Sequence, residues 1–301
     1  MPRLLGIAVA QMAPIPWDQS ATLEKMESLI QQISISIPWV DTICFPELCA
    51  HGIMQFIAPP DLKWGMSQVA EPIPGPISDR FCQLARQVKK WVMPGSIYER
   101  AGDAIYNTAF VISPQGEIVA RYRKLFPWRP YEQTTPGQDF CVFDIPDVGR
   151  LGLCICYDMW FPEVSRTLAW LGAEVILHPS LTYTSDRQVE IVLSQANAIF
   201  NQAYFIDINA SGPYGGGHSS IVDPNGRVLQ QATQPEIILT EILDLDQVTR
   251  TRELGTLGLC QTWKEIRDFN GSFPLYTQGH KNSPMLQALS PLKYQTNLTS
   301  E

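Results

Sequence analysis

The stretch Arg150-Leu-Gly-Leu-Cys-Ile-Cys-Tyr-Asp-Met-Trp-Phe-Pro-Glu163 decides how the chain is read. Leu151, Leu153 and Ile155 alternate with Gly152, Cys154 and Cys156, the period-two pattern of a strand. Phe161-Pro-Glu163 then opens a helical run. Its Pro and acidic residue fall in the first turn, where unpaired N–H groups and the positive dipole end favour them. The spacing predicts a strand over 151–157 and a helix through Leu168. Cys156 therefore falls at a strand-to-helix junction, at the carboxyl edge of a sheet and close to backbone N–H donors. That placement makes it a candidate nucleophile.

Working outward, the pattern of strand then helix recurs on both sides. Downstream come a strand over 173–178 and a helix through Val189, Ile191, Leu193, Ala196 and Phe200. A strand over 203–208 follows, then a hairpin of 219–222 and 227–229 across Asp223-Pro-Asn-Gly226. Upstream, 4–11 is a near-continuous apolar strand of the kind buried on both faces. Asp18 or Ser20 caps a helix through Leu23, Met26, Ile30 and Ile33. A strand over 41–46 follows, then a helix capped by Ser78 with Phe81, Leu84 and Val88 on one face, then a strand over 91–98. Residues 107–112 and 117–122 form a hairpin across Ser113-Pro-Gln-Gly116. Each half is thus a β-α-β-α-β unit ending in a hairpin. Ile43-Cys-Phe-Pro-Glu-Leu48 parallels Ile176-Leu-His-Pro-Ser-Leu181, and the two hairpin turns also match. Strands alternating with helices imply parallel neighbours with helices on the faces. Two such units predict an α/β fold with two sheets packed face to face and helices outside.

No Gly/Ser/Pro linker divides the halves, so residues 1–267 read as one domain, with a helix over 245–254 near its end. Residues 268–301 form a polar tail with Pro274, Pro284 and Pro291 that cannot make its own core, and it reads as frayed or docked on another subunit. The chain of 301 residues is 45% hydrophobic and 17% charged, ample for a core. A formal net charge of -8 gives no electrostatic reason to expect nucleic acid or an anionic membrane as partner. No run reaches the roughly 18 apolar residues of a membrane span. Seven spread cysteines read as reduced thiols, which together with the lack of a signal-peptide pattern points to the cytoplasm.

Three chemically competent residues fall at strand ends, where ligands gather in parallel-sheet proteins. Glu47 follows the strand over 41–46, Lys124 follows that over 117–122, and Cys156 ends that over 151–157. An ammonium and a helix start beside Cys156 are expected to stabilise its thiolate. A carboxylate can take the thiol proton and return it to a leaving amine. The ammonium also suits a developing oxyanion. The chemistry is acyl transfer through a thioester.

Phe45-Pro-Glu-Leu48, Tyr122-Arg-Lys-Leu125 and Cys156-Tyr-Asp-Met-Trp-Phe-Pro-Glu163 resemble, in order, the three signature blocks of the nitrilase, or carbon–nitrogen hydrolase, superfamily. The resemblance covers about residues 4–254. It implies a four-layer α-β-β-α sandwich of two similar halves, no metal or organic cofactor, and homo-oligomers built from dimers. It also implies Glu47 as general base and acid, Lys124 as oxyanion stabiliser, Cys156 as nucleophile, and the Tyr157 backbone N–H as part of the oxyanion hole. Glu132, in Trp128-Arg-Pro-Tyr-Glu-Gln-Thr-Thr-Pro-Gly137, matches the family's second glutamate, which positions substrate and lysine.

True nitrilases follow the nucleophile with Trp-Glu, whereas Tyr157-Asp158 follows it here, the pattern of amide hydrolases. Lys124-Leu-Phe-Pro-Trp128 and Gly52-Ile-Met54 resemble aliphatic amidases and formamidases. Met159-Trp-Phe-Pro-Glu163 resembles N-carbamoyl-amine hydrolases such as carbamoylputrescine amidase. The expected substrate is a small amide, with a carbamoyl amine as the alternative and a nitrile third. A non-catalytic binding or redox thiol protein of the same fold is the competing class, and Cys154, Cys156 and His178 are the residues a metal or redox reading would use. Trp128, Trp160 and Tyr183 are candidate pocket walls, with core or interface as the other reading. Arg129 reads as a solvated loop residue, His51 as a histidine satisfied by backbone, and Asp158 as a cap of the following helix. Pocket size is expected to be set by residues 54–70 and 182–186.

Overall fold

The computed structural model describes residues 2–52, 66–212, 215–279 and 282–292. The first half contains β1 (Leu4–Gln11), α1 (Gln19–Ser36), β2 (Thr42–Cys44), α2 (Met66–Val69), α3 (Pro76–Val88), β3 (Trp91–Met93), β4 (Ser96–Ala101), β5 (Ala104–Ile112) and β6 (Ile118–Arg123). The second contains β7 (Cys141–Ile145), β8 (Gly149–Leu153), α4 (Pro162–Trp170), β9 (Val175–Ser180), α5 (Arg187–Asn201), β10 (Tyr204–Asn209), β11 (Ser220–Val222), β12 (Val228–Gln231), β13 (Ile237–Asp244) and α6 (Leu245–Leu254). Short helices α7 (Thr262–Asp268), α8 (Pro274–Thr277) and α9 (Pro284–Gln287) follow.

These strands make two sheets. The first runs β13-β1-β2-β3-β5-β4, with β6 also on β5, and the second runs β12-β11-β10-β9-β8-β7. In each, three parallel strands (β1, β2, β3 and β8, β9, β10) are flanked by antiparallel ones. The two halves therefore share one plan. Alternation along β1 shows how the layers arise. Leu5, Ile7 and Val9 enter a core shared with Leu151, Leu153, Val175, Leu177 and Ile206 of the second sheet. Ala8 and Ala10 face the other way, into a core with Met26 and Ile30 of α1 and Phe81 of α3. A third core joins the second sheet to Val164 and Leu168 of α4 and Ala198 of α5. Three apolar seams make four layers, α-β-β-α. Truncating one such fully buried side chain to Ala costs about 2–5 kcal/mol.

Several elements depart from the sequence expectation. The strand over 91–98 is two strands, broken at Pro94-Gly95. Gly95 has φ +82, and a Cβ there would lie 1.8 Å from the Pro46 carbonyl oxygen. That close approach fixes the turn carrying Glu47 and admits only glycine. The helix of Ser78 starts at Pro76 with Gly75 as its cap, and Ser78 instead accepts the Gly75 N–H. Asp18 does cap α1, accepting from the Ala21 N–H. The strand expected over 151–157 stops at Leu153, and Cys156–Trp160 is a 3-10 turn. Strand β7 and the whole of β13 were absent from the expectation; β13 pairs with β1 along its full length and closes the first sheet with residues from the second half.

Helix α5 forms where expected, but of the residues that marked it Val189 and Phe200 are exposed and Ile191, Leu193 and Ala196 only half-buried, and Val192 and Ile199 are exposed as well. The buried face is Arg187, Glu190, Ser194, Asn197, Ala198 and Asn201. Arg187, Glu190 and Ser194 can take that face because each finds a buried partner, as described below. Of the described residues beyond Asp268 nearly all face solvent, including Phe269, Phe273, Tyr276, Met285 and Leu289. Trp263, just before it, donates Nε1–H to the Asn201 carbonyl (3.1 Å) and lies 4.6 Å under the Arg166 guanidinium. Among the described residues, no helix is long and apolar enough to cross a membrane.

Candidate active site

The carboxyl ends of the two sheets meet at one place. Glu47 lies on the turn after β2, just before the left-handed Leu48 (φ 52), and its N–H donates to the Ser180 carbonyl at the end of β9 (3.3 Å). Lys124 extends β6 by one residue. Its N–H donates to the Asn107 carbonyl and its carbonyl accepts from the Gly137 N–H, both at 2.8 Å. Gly137 permits this because a Cβ would meet the Arg123 carbonyl oxygen at 2.2 Å.

These backbones bring the side chains into direct contact. Lys124 Nζ lies 2.9 Å from Glu47 Oε1 and 2.7 Å from Glu132 Oε2, with all three buried. Asn107 Nδ2 spends its two hydrogens on the same pair, 2.7 Å to Glu47 Oε1 and 2.9 Å to Glu132 Oε1. Thr134 Oγ1 (3.1 Å) and the Trp128 N–H (2.9 Å) complete Glu132. Burial works against the charge on Lys124, but Glu132 and Glu47 prevail and hold its pKa well above the ordinary value. Burial likewise opposes ionisation of Glu132, but Lys124 and the hydrogen bonds hold its carboxyl below the usual range. The cluster is an ammonium clamped by two carboxylates.

Linkage gives this clamp a pH signature. A carboxyl with a depressed folded pKa contributes stability above its unfolded pKa, and loses it as pH falls through the folded value. For Glu132 the loss begins below its ordinary 4.5. Thermal melts of the wild type are therefore expected to drop as pH falls below that value. Glu132→Gln should melt lower near neutral pH and follow a flatter acid limb. An unchanged acid limb would remove Glu132 as a contributor.

Cys156 sits 9% exposed at the start of its turn with φ +48, a conformation side chains rarely adopt. Its Sγ receives the Leu181 N–H and lies 3.6 Å from Thr182 Oγ1, within electrostatic reach of Glu47 and Lys124. The expected thiolate is not the resting state. Burial pushes the thiol far up, Glu47 pushes the same way, and Lys124 only partly opposes them. The helix start that was to help is absent, because α4 begins six residues later at Pro162. Asp158 also differs from expectation. It accepts from Tyr122 Oη (2.7 Å), the Ile155 N–H (2.9 Å) and the Phe126 N–H (2.9 Å), and so ties the cysteine turn to the segment after Lys124. Burial pushes its carboxyl up to about 6.

The other candidates fall around this centre. Tyr157 packs edge-on against Phe161 at 5.2 Å. Trp160 Nε1 reaches Glu190 Oε1 at 3.4 Å. The Trp128 ring leans on Tyr131 at 4.6 Å. Tyr183 follows Thr182 and is half-buried within reach of Tyr131. Arg129 is no solvated residue, since its guanidinium donates to the Glu132 and Thr134 carbonyls. His51 is satisfied as expected, its Nε2 accepting the Tyr98 N–H at 2.8 Å. Cys154 and Cys156 face different cores, so the pair does not converge. Residues 53–65, including Met54 and most of the 54–70 loop, lie outside the described residues.

Sequence reading missed Asn107, Thr182, Arg187, Glu190 and Asp207. Thr182 Oγ1 donates to Glu190 Oε1 (3.2 Å), Arg187 pairs with Glu190 (3.1 Å) and Asp207 (2.6 Å), and His178 Nδ1 lies 3.0 Å from Asp207. Two signals were present: an aspartate inside the apolar strand Ala203-Tyr-Phe-Ile-Asp-Ile208, and an Arg/Glu pair three apart on a helix.

With this geometry in view, the chain belongs to the carbon–nitrogen hydrolase family, whose profile, "Carbon-nitrogen hydrolase", matches residues 6–253. It is a hydrolase of carbon–nitrogen bonds, in the amidase branch of the nitrilase superfamily. Among its relatives, a formamidase of Bacillus cereus (strain B4264) is 32% identical over 247 residues, spanning 76% of this chain and 71% of that one. The carbon–nitrogen hydrolase of Helicobacter pylori G27 superposes with TM-score 0.73 at 25% identity, over 89% of this chain and 96% of that one. Nit3 of Saccharomyces cerevisiae, a member of branch 10 of the superfamily, superposes with TM-score 0.72 at 25% identity, over 83% and 94%.

Proposed function

We propose that the protein is a cysteine-dependent amidase that cleaves a small amide to acid and ammonia or amine through a thioester on Cys156. The observation that carries the reading is the clamped ammonium beside the buried thiol. An ammonium has three hydrogens. Glu47 and Glu132 take two of them, which leaves the third for an oxygen gaining negative charge next to Cys156.

The steps follow from the charges. Because the thiol is protonated at rest, Glu47 takes its proton as Sγ attacks the amide carbon, rather than finding a thiolate already formed. Lys124 and the Tyr157 backbone N–H hold the oxyanion. Glu47 returns the proton to the amide nitrogen, the C–N bond breaks, and ammonia or amine leaves. Water then attacks the thioester with Glu47 as base, and the acid departs as Sγ regains a proton. Glu132 orients Lys124 and the substrate; Trp160, Trp128 and Tyr183 line the approach. No cofactor takes part. The protein works in the cytoplasm as a homo-oligomer built from dimers, with the apolar residues of the 268–301 tail docked on a partner subunit.

The similarity to formamidases supports a short amide as the substrate of this chain, and Met159-Trp-Phe-Pro-Glu163 keeps carbamoyl amines as the second reading. An ammonia-release assay over formamide, short aliphatic amides, ω-amides, carbamoyl amines and nitriles decides between them. Short amides are expected to turn over fastest. Dominant turnover of a nitrile would overturn the branch, and dominant release from carbamoyl amines would establish the second reading.

A further inference from the structure

We infer that His178 is a positioning residue for the nucleophile, donating its Nε2–H to the Cys156 carbonyl and so holding the left-handed turn that presents Sγ to Glu47 and Lys124. The inference rests on the reading of Cys156 as nucleophile and deepens it.

The geometry begins with an unusual backbone. A non-glycine residue at φ +48 keeps that conformation only where its surroundings over-determine it. Here the determinant on the carbonyl side is His178, fully buried on β9, with Nε2 2.9 Å from the Cys156 oxygen. A carbonyl only accepts, so Nε2 must carry a hydrogen. The other ring nitrogen faces Asp207 Oδ1 at 3.0 Å. Asp207 is kept ionised by Arg187 Nη2 at 2.6 Å, and its second oxygen also accepts from Ser194 Oγ (3.3 Å). A carboxylate also only accepts, so Nδ1 donates too and the ring is an imidazolium. The groups facing it are Asp207 from β10, Arg187 and Glu190 from α5, and the Cys156 turn. Burial opposes the charge, and the Asp207 bond and field outweigh it, raising the pKa.

The same network grips the nucleophile twice. Through His178 it holds the Cys156 carbonyl. Through Glu190 it fixes Thr182 Oγ1, which lies against Sγ. This explains why α5 buries Arg187 and Glu190 while Val189, Val192, Ile199 and Phe200 stay outside. The helix is the anchor of the turn, and the charge and tilt of the His178 ring are set by Asp207.

The test reads nucleophile reactivity without needing the substrate. It measures the rate at which iodoacetamide alkylates Cys156, by peptide mass spectrometry near neutral pH. His178→Leu removes the donor and is expected to slow alkylation at least about tenfold, as misplacement of a reacting group does. His178→Gln keeps a donor and should stay within about threefold of wild type. Both variants deprive Asp207 of its histidine, so their melting temperatures should fall alike, and stability cannot explain the difference between them. Alkylation of the Leu variant at the wild-type rate, or of the Gln variant as slowly as the Leu variant, overturns the inference. Nitrogen-15 NMR of the wild type needs no variant. Both ring nitrogens of His178 are expected to be protonated near pH 7, and a bare Nε2 overturns the inference. Wild-type amidase activity surviving full alkylation of Cys156 would instead overturn the nucleophile reading itself.

Discussion

Cys156→Ala is expected to lower amide turnover by about 10⁴-fold or more, since no neighbour can replace the attacking atom and the remaining groups only bind and polarise. The fold should survive. Alanine also carries a Cβ, so the turn at φ +48 is no more strained than with cysteine. The lost sulfur leaves a void of about one methyl group at a site already slightly exposed, a cost near 1 kcal/mol and a few degrees in melting temperature. Because the resting thiol is neutral, no buried charge is stranded by its removal. Ammonia release and a thermal melt on the same sample separate the two effects. A folded Cys156→Ala protein with more than a few percent of wild-type turnover would remove the thioester route.

Lys124→Met is expected to damage both activity and stability. It deletes the cation while keeping the length of the chain. Glu47 and Glu132 then remain buried, sharing Asn107 and facing each other without the ammonium that lay 2.9 and 2.7 Å from them. Leaving buried charge uncompensated costs about 3–5 kcal/mol. Loss of the oxyanion partner alone costs about 10²–10³ in turnover. The pH dependence supplies the sharper check. With the lysine gone, like charge raises one carboxyl above its unfolded pKa. Such a group destabilises the fold at neutral pH, and the penalty fades as pH falls through the raised value. The variant should therefore gain stability between about pH 7 and 5, a window in which the wild type, whose Glu132 carboxyl is held below the usual range, does not. Parallel stability profiles for the two proteins would contradict the clamp.

The layered fold was legible because its signals are local. Period-two alternation in β1 and β8, the 3-4 spacing of α1 and α3, and the Pro-x-Gly turns each speak for themselves. The three site blocks were legible as strand ends carrying an acid, an amine and a thiol. What stayed hidden depends on distant partners. Strand β13 is recognisable only through its pairing with β1, more than two hundred residues away. The polar inward face of α5 stayed hidden because Arg187 and Glu190 are buried by virtue of Asp207 and His178, which no window of sequence places beside them. The resting state of Cys156 was misjudged for the same reason. Its neighbours suggested a thiolate, but burial and the Glu47 charge decide otherwise, and both are properties of the assembled site. Gly95 marked a break in a strand whose cause, the Pro46 carbonyl, lies on another loop.

The central claim is that the amide's acyl group is carried on Cys156. The direct measurement is acid-quenched mass spectrometry of the wild type during turnover of the amide it cleaves fastest, with the adduct mapped to a peptide. The account expects the acyl mass on the peptide containing Cys156, formed and lost at rates compatible with turnover. An acyl group on Cys154 or Cys260 with Cys156 unmodified, or turnover with no acyl-enzyme at any quench time while Cys156→Ala stays active, would contradict it.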